Sequence, residues 1–146
     1  MTQPSIAPAT FDVRAVVPGA LTTLVLALVA GVVNQVLVDR GTIEEGSPLA
    51  FFFFLLIVLA GAVGGFVSGR RAPDSPLLHG AVASASAYLL VQGIGVIRRL
   101  IAGDPLNWLS YLYLAVLMAT CGMLGALLAN HRNRQEREHP GRTRKG

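Results

Sequence analysis

Residues Leu49 to Val67 read LAFFFFLLIVLAGAVGGFV, nineteen residues with no charged side chain and no proline, and Ser68-Gly69-Arg70-Arg71 follows at once. A helix rises about 1.5 Å per residue and the hydrocarbon core of a bilayer is about 30 Å thick, so a helical run of this length crosses it. Outward from this stretch lie three more runs of the same kind, Ala15 to Val38, Leu77 to Ile97 and Leu106 to Ala129. None of the four contains Asp, Glu, Lys or Arg. A charge at mid-bilayer costs at least about 2.5 kcal/mol on insertion scales, so their absence from every run is what lipid demands. The composition agrees: with 53% hydrophobic and 14% charged residues, little polar surface remains to face water. The sequence therefore predicts an all-α membrane protein with four transmembrane helices.

Its organisation follows from what flanks the runs. Residues 1–13, rich in proline and small polar side chains, bury too little apolar surface to offset the entropy of ordering and read as a flexible lead. Residues 14–130 form the transmembrane domain, and residues 131–146 read as a basic cytoplasmic tail. The first run is too long for the apolar region of a secretory signal and is expected to be retained as a span.

Charge sets the orientation. Four spans place both termini and the loop between helices two and three on one side. That side carries Arg14, Arg70, Arg71, Arg132, Arg134, Arg137, Arg142, Arg144 and Lys145, nine basic residues against the three of Arg40, Arg98 and Arg99 opposite. By the positive-inside rule both termini are expected in the cytoplasm. Trp108, Tyr111 and Tyr113 cluster where helix four should enter from the other face, a position that suits amphipathic rings.

Small residues mark the packing faces. Gly61, Gly65 and Gly69 lie four apart along helix two, and Gly122 and Gly125 occupy helix four. Lipid tails are as apolar as leucine, so helices in a bilayer associate by close backbone approach, which glycine permits. Sliding the chain by 61 residues aligns Gly19 with Gly80, Gly61 with Gly122, Gly64 with Gly125 and Arg71 with Arg132, the pattern of two parallel hairpins related by an axis along the membrane normal. Such faces suit a compact bundle, a homodimer or a larger membrane complex.

Few groups are equipped for chemistry. Asn34, Gln35 and Gln92 lie at similar depth in helices one and three, and they are expected to meet, either as hydrogen-bonding glue or as the lining of a hydrated or ligand-binding cavity. Thr22, Thr23, Ser84, Ser86 and Thr120 can bond carbonyls of their own helices. Arg70, Arg71 and His79 are a candidate contact for an anionic headgroup at the start of helix three, where a helix N-terminus favours negative charge. No catalytic residue, metal set or cofactor motif is proposed: His79 has no second ligand at suitable spacing, and Ser or Cys121 in the spans lacks a positioned base. Nucleic acid is not an expected partner, because Glu136 and Glu138 interrupt the basic tail and no aromatic residue is there for stacking.

The segment from Gly61 onward, with its glycine-rich end of helix two, G-R-R-A-P turn and P-L-x-H-G start of helix three, resembles uncharacterised small bacterial four-helix inner-membrane proteins. The similarity covers about twenty residues and implies an inner-membrane bundle with no assigned activity. Small multidrug transporters and dual-topology fluoride channels fit less well, since the embedded glutamate of the first and the polar pore motifs of the second are missing. The sequence thus predicts a non-enzymatic accessory or scaffolding bundle acting through helix contacts, with a small permease or channel for a neutral or amphipathic solute or lipid as the alternative.

Overall fold

The computed structural model describes residues 11–44, 46–103 and 105–138. They form four helices: α1 (Val13–Asp39), α2 (Pro48–Arg71), α3 (Pro76–Ala102) and α4 (Trp108–Glu138). All four are long and apolar enough to cross a membrane. The fold is an all-α, four-helix membrane protein.

Each helix starts where local chemistry permits. The Asp12 carboxylate accepts the Arg14 N–H at 2.8 Å and caps α1, and Ser47 caps α2 by accepting the Ala50 N–H at 3.3 Å just ahead of Pro48. Pro76 opens α3 in the position that lacks a helical hydrogen bond in any case. α3 ends at Gly103, whose φ of 75° is accessible to glycine at no steric cost. All four helices outrun their predicted spans, α1 by one or two residues at each end and α2 by carrying on through Arg70 and Arg71. α3 continues through Arg99 to Ala102, and α4 runs on through Arg132 and Arg134 to Glu138, so the first half of the predicted tail is helical. Residues 1–10 of the expected lead and 139–146 of the expected tail lie outside the described residues.

The helices alternate in direction, so α1 runs parallel to α3 and α2 to α4. Gly61 faces Met118, Gly65 faces Gly122 and Gly69 faces Ala126, three steps in the same sense along α2 and α4. α2 and α3 both touch every other helix, whereas α1 and α4 share no contact among the described residues. In cross-section the bundle is a rhombus with α2 and α3 on its short diagonal. The hairpins have the mutual orientation of a parallel repeat, but the α2–α3 contact has no α4–α1 counterpart.

Packing differs sharply between the two ends. At the end that carries the termini, a Cβ added to Gly19 would lie 2.7 Å from the Ser68 Cβ, and one on Gly80 would lie 2.6 Å from the Ala126 Cβ. Gly64, Gly65, Gly122 and Gly125 are held tighter still, against Thr23 and backbone carbonyls of neighbouring helices. Ser84 adds the one side-chain hydrogen bond between helices within the described spans, donating across the diagonal to the Gly61 carbonyl at 2.6 Å. Thr22, Thr23, Ser86 and Thr120 instead bond carbonyls of their own helices. Toward the loop end the glycines lose their partners: a Cβ on Gly31 or Gly93 would meet nothing within 4 Å. Bulky Phe54, Ile57, Val91 and Leu114 stand there in place of small residues, and the helices separate.

Candidate functional site: an apolar cavity in the loop-end half

The separation leaves a cavity of about 360 Å³ among all four helices. It runs from Thr23 near mid-bundle to Gln35, twelve residues of α1 and so about 18 Å along the axis. Its walls are Ala27, Leu28 and Val32 of α1, Phe54, Ile57 and Val58 of α2, Ala87 and Val91 of α3, and Leu114, Leu117 and Met118 of α4. No charged residue among the described ones lines it. The volume falls within the range of roughly 300–1,000 Å³ typical of small-molecule sites.

Three polar side chains interrupt the apolar wall above Thr23. Gln35 and Gln92 approach from α1 and α3 toward the loop end. Gln35 donates from Nε2 to the Asp39 carboxylate at 2.8 Å, which leaves its own carbonyl oxygen available. Tyr88 is deeper, only 8% exposed, and its hydroxyl is buried with no hydrogen-bond partner. An unpaired buried hydroxyl costs about 1–3 kcal/mol, and this one is enclosed by the chain rather than open to the cavity. Tyr88 stands four residues before Gln92 and four after Ser84, so the three share one face of α3.

The structure thus brings together two of the three amides that the sequence grouped. Asn34 does not join them: it lies one residue from Gln35, about 100° around the helix, outside the cavity lining, and its side-chain oxygen is buried without a partner. Tyr88 was not singled out in the sequence, because an aromatic ring inside an apolar run carries no polar signal by itself. Its spacing from Gln92 was the available clue.

The five glycines that the sequence marked, Gly61, Gly65, Gly69, Gly122 and Gly125, all pack against neighbouring helices of the same chain. Their faces are covered within one protomer and are not offered to a partner.

The group of Arg70, Arg71 and His79 separates in the structure. Both arginines are exposed in the last turn of α2, where positive charge complements the helix dipole, and the Arg70 guanidinium lies 5.9 Å from the Phe66 ring centroid. His79 is 0% exposed. Its Nε2 accepts the Asp12 backbone N–H at 2.9 Å, which fixes the ring proton on Nδ1, where it is donated to the Ser75 carbonyl at 2.8 Å. The Phe11 ring stacks on the imidazole with centroids 5.3 Å apart. A buried ring with both nitrogens engaged has nothing to offer a headgroup, so the predicted contact loses its histidine. In its place His79 ties the start of α1 to the start of α3, and the last residues of the supposed lead, Phe11 and Asp12, are held against it.

No family model, no curated protein and no solved structure matches this chain.

Proposed function

We propose that this protein is a non-enzymatic, multi-pass protein of the bacterial cytoplasmic membrane that takes a neutral, apolar or amphipathic small molecule or lipid into the loop-end cavity. The cavity carries this reading: it is lined by every helix, by no charged residue among those described, and by the Gln35 and Gln92 amides toward its upper end. A charged cargo would need a counter-charge in the membrane, and the described residues of the walls supply none. The same walls hold no nucleophile with a base beside it, which favours binding or passage over catalysis. The alternative, an accessory bundle acting through helix contacts, loses its main support because its glycine faces are already covered within the chain.

Gly31 offers a direct test. It lines the cavity, and a side chain there would enter open space, so Gly31→Phe should fill the site without disturbing the bundle. The probe is 1-monodecanoylglycerol, with the full chain in nanodiscs and binding read by native mass spectrometry. One molecule per chain is expected on the natural protein and none on Gly31→Phe, with thermal stability retained. Equal binding to both proteins would place the lipid elsewhere and sink the cavity reading.

The charge distribution supports cytoplasmic termini, with the cavity in the outer-leaflet half. Replacing Arg70 and Arg71 by Ala leaves seven basic residues against three, so orientation should hold. A reporter fused after Gly146 should be active only in the cytoplasm, with or without those substitutions. Activity only on the periplasmic side would overturn this orientation.

A further inference from the structure

The parallel helices α1 and α3 touch near their starts. The His79 Nε2 accepts the Asp12 N–H at 2.9 Å, and a Cβ added to Gly19 would lie 3.2 Å from the Ala83 Cβ. His79 and Ala83 therefore mark the stripe of α3 that faces α1, and both are 0% exposed. Leu90, Ile94 and Ile97 fall on the same stripe, within about 60° of His79 at about 100° per residue. They are 62%, 74% and 60% exposed. Both helices are 27 residues long, so α1 does not simply end short of them. The face that α1 covers at one end of α3 is bare at the other, and the two helices splay toward the loop end.

The splay lies against the cavity. Ala87 and Val91, the next residues around α3 from this stripe, line the cavity, and so do Leu28 and Val32 of α1, each more than half exposed. Neighbouring edges stay closed: the short connection from α1 to α2 holds Ile43 buried, and Tyr88 of α3 is buried beside Tyr111 of α4. The lips of the opening, Leu28, Val32, Leu90 and Ile94, are hydrocarbon and lie within the apolar spans, so acyl chains rather than water face them. We infer, resting on the cavity reading above, that the cavity is filled from the bilayer: its ligand is a membrane-dissolved molecule that enters sideways between α1 and α3. A water-soluble solute would have to shed its hydration to cross these lips. Gln35 and Gln92 stand on the two helices that flank the opening, toward the loop end, where an uncharged polar head stays near the headgroup layer while its chain slides in.

The experiment follows 1-monodecanoylglycerol, fluorinated at its chain end, by fluorine NMR on the full-length chain in nanodiscs. Saturation transfer between the bilayer and bound signals gives the exchange rate. Leu90→Trp combined with Ile94→Trp sets two indoles across the opening, and neither residue lines the cavity. Exchange should slow about tenfold, as for any modest rise in a barrier, with the bound population unchanged. Leu89→Trp is the control: Leu89 is exposed on the flank of the stripe away from the cavity, and the natural rate should hold. Exchange at the natural rate in the double variant, with the bound signal still lost in Gly31→Phe, would overturn the lateral route and leave the cavity reading standing. A bound population lost in the double variant would equally overturn it, because these residues would then belong to the site and not to its entrance. A bound signal that survives Gly31→Phe would overturn the cavity reading itself.

Discussion

Alanine at Gly125 or Gly65 is expected to destabilise the bundle by about 3 kcal/mol, the upper part of the range for overpacking a tight interior. The reason lies in what the added methyl group would meet. At Gly125 it overlaps the Ala62 carbonyl oxygen, and at Gly65 the carbonyl oxygen of Gly122. Both neighbours are backbone, so relief requires α2 and α4 to move apart as rigid bodies. Movement there also loosens the contacts at Gly61 and Gly69 on the same seam. Lipid offers no hydrophobic gain to hold separated helices together, so the loss of close approach is not offset. Gly93→Ala is the control: the methyl group there meets nothing within 4 Å, and stability should hold or rise slightly through helix propensity. Unfolding by titration with sodium dodecyl sulfate should separate the two classes. Three variants of equal stability would mean that the α2–α4 seam does not carry the bundle.

The same contrast explains how much of the molecule was legible in the sequence. The four spans were, because the absence of charge over runs of bilayer length is a property of composition and needs no tertiary knowledge. Helix ends were less so. α3 passes through Arg99 and α4 through Arg132 and Arg134, since a helix in contact with headgroups and water has no reason to stop where the hydrocarbon does. The glycines announced close packing, but whether such a face meets the same chain or another copy depends on geometry that spacing does not contain. Asn34 and Gln35 looked equivalent as neighbours at one depth. Adjacent residues on a helix point about 100° apart, and only Gln35 faces the cavity. Tyr88 was hidden for the opposite reason: a ring among Leu, Val and Ala reads as core, and the enclosure of its hydroxyl without a partner is a property of the packed helices alone.

His79 is the position where sequence and structure differ most, and its replacement by Ala should cost about 2–4 kcal/mol, in line with truncating a large, fully buried side chain. Two losses combine. The ring is 0% exposed and stacked on Phe11, so its removal leaves a void at the junction of α1 and α3. The Asp12 N–H also loses its partner, whereas the Ser75 carbonyl keeps the His79 backbone N–H at 3.3 Å. His79→Phe separates the two contributions, because it keeps a ring of similar size while offering no acceptor to the Asp12 N–H. If the hydrogen bonds matter, the Phe variant should be weaker than the natural protein by about 1–3 kcal/mol, the penalty for a polar group left unpaired. Amide exchange gives a local readout that a general loss of packing would not mimic. Asp12 precedes the first turn of α1, and its N–H is held by no helical carbonyl, so protection there depends on the imidazole. In the natural protein that amide should exchange slowly, and in both variants it should exchange as fast as an open chain end. A Phe variant as stable as the natural protein, together with rapid exchange at Asp12 in every version, would reduce His79 to a space-filling ring and leave the start of α1 anchored by packing alone, including that of Gly19 against α2 and α3.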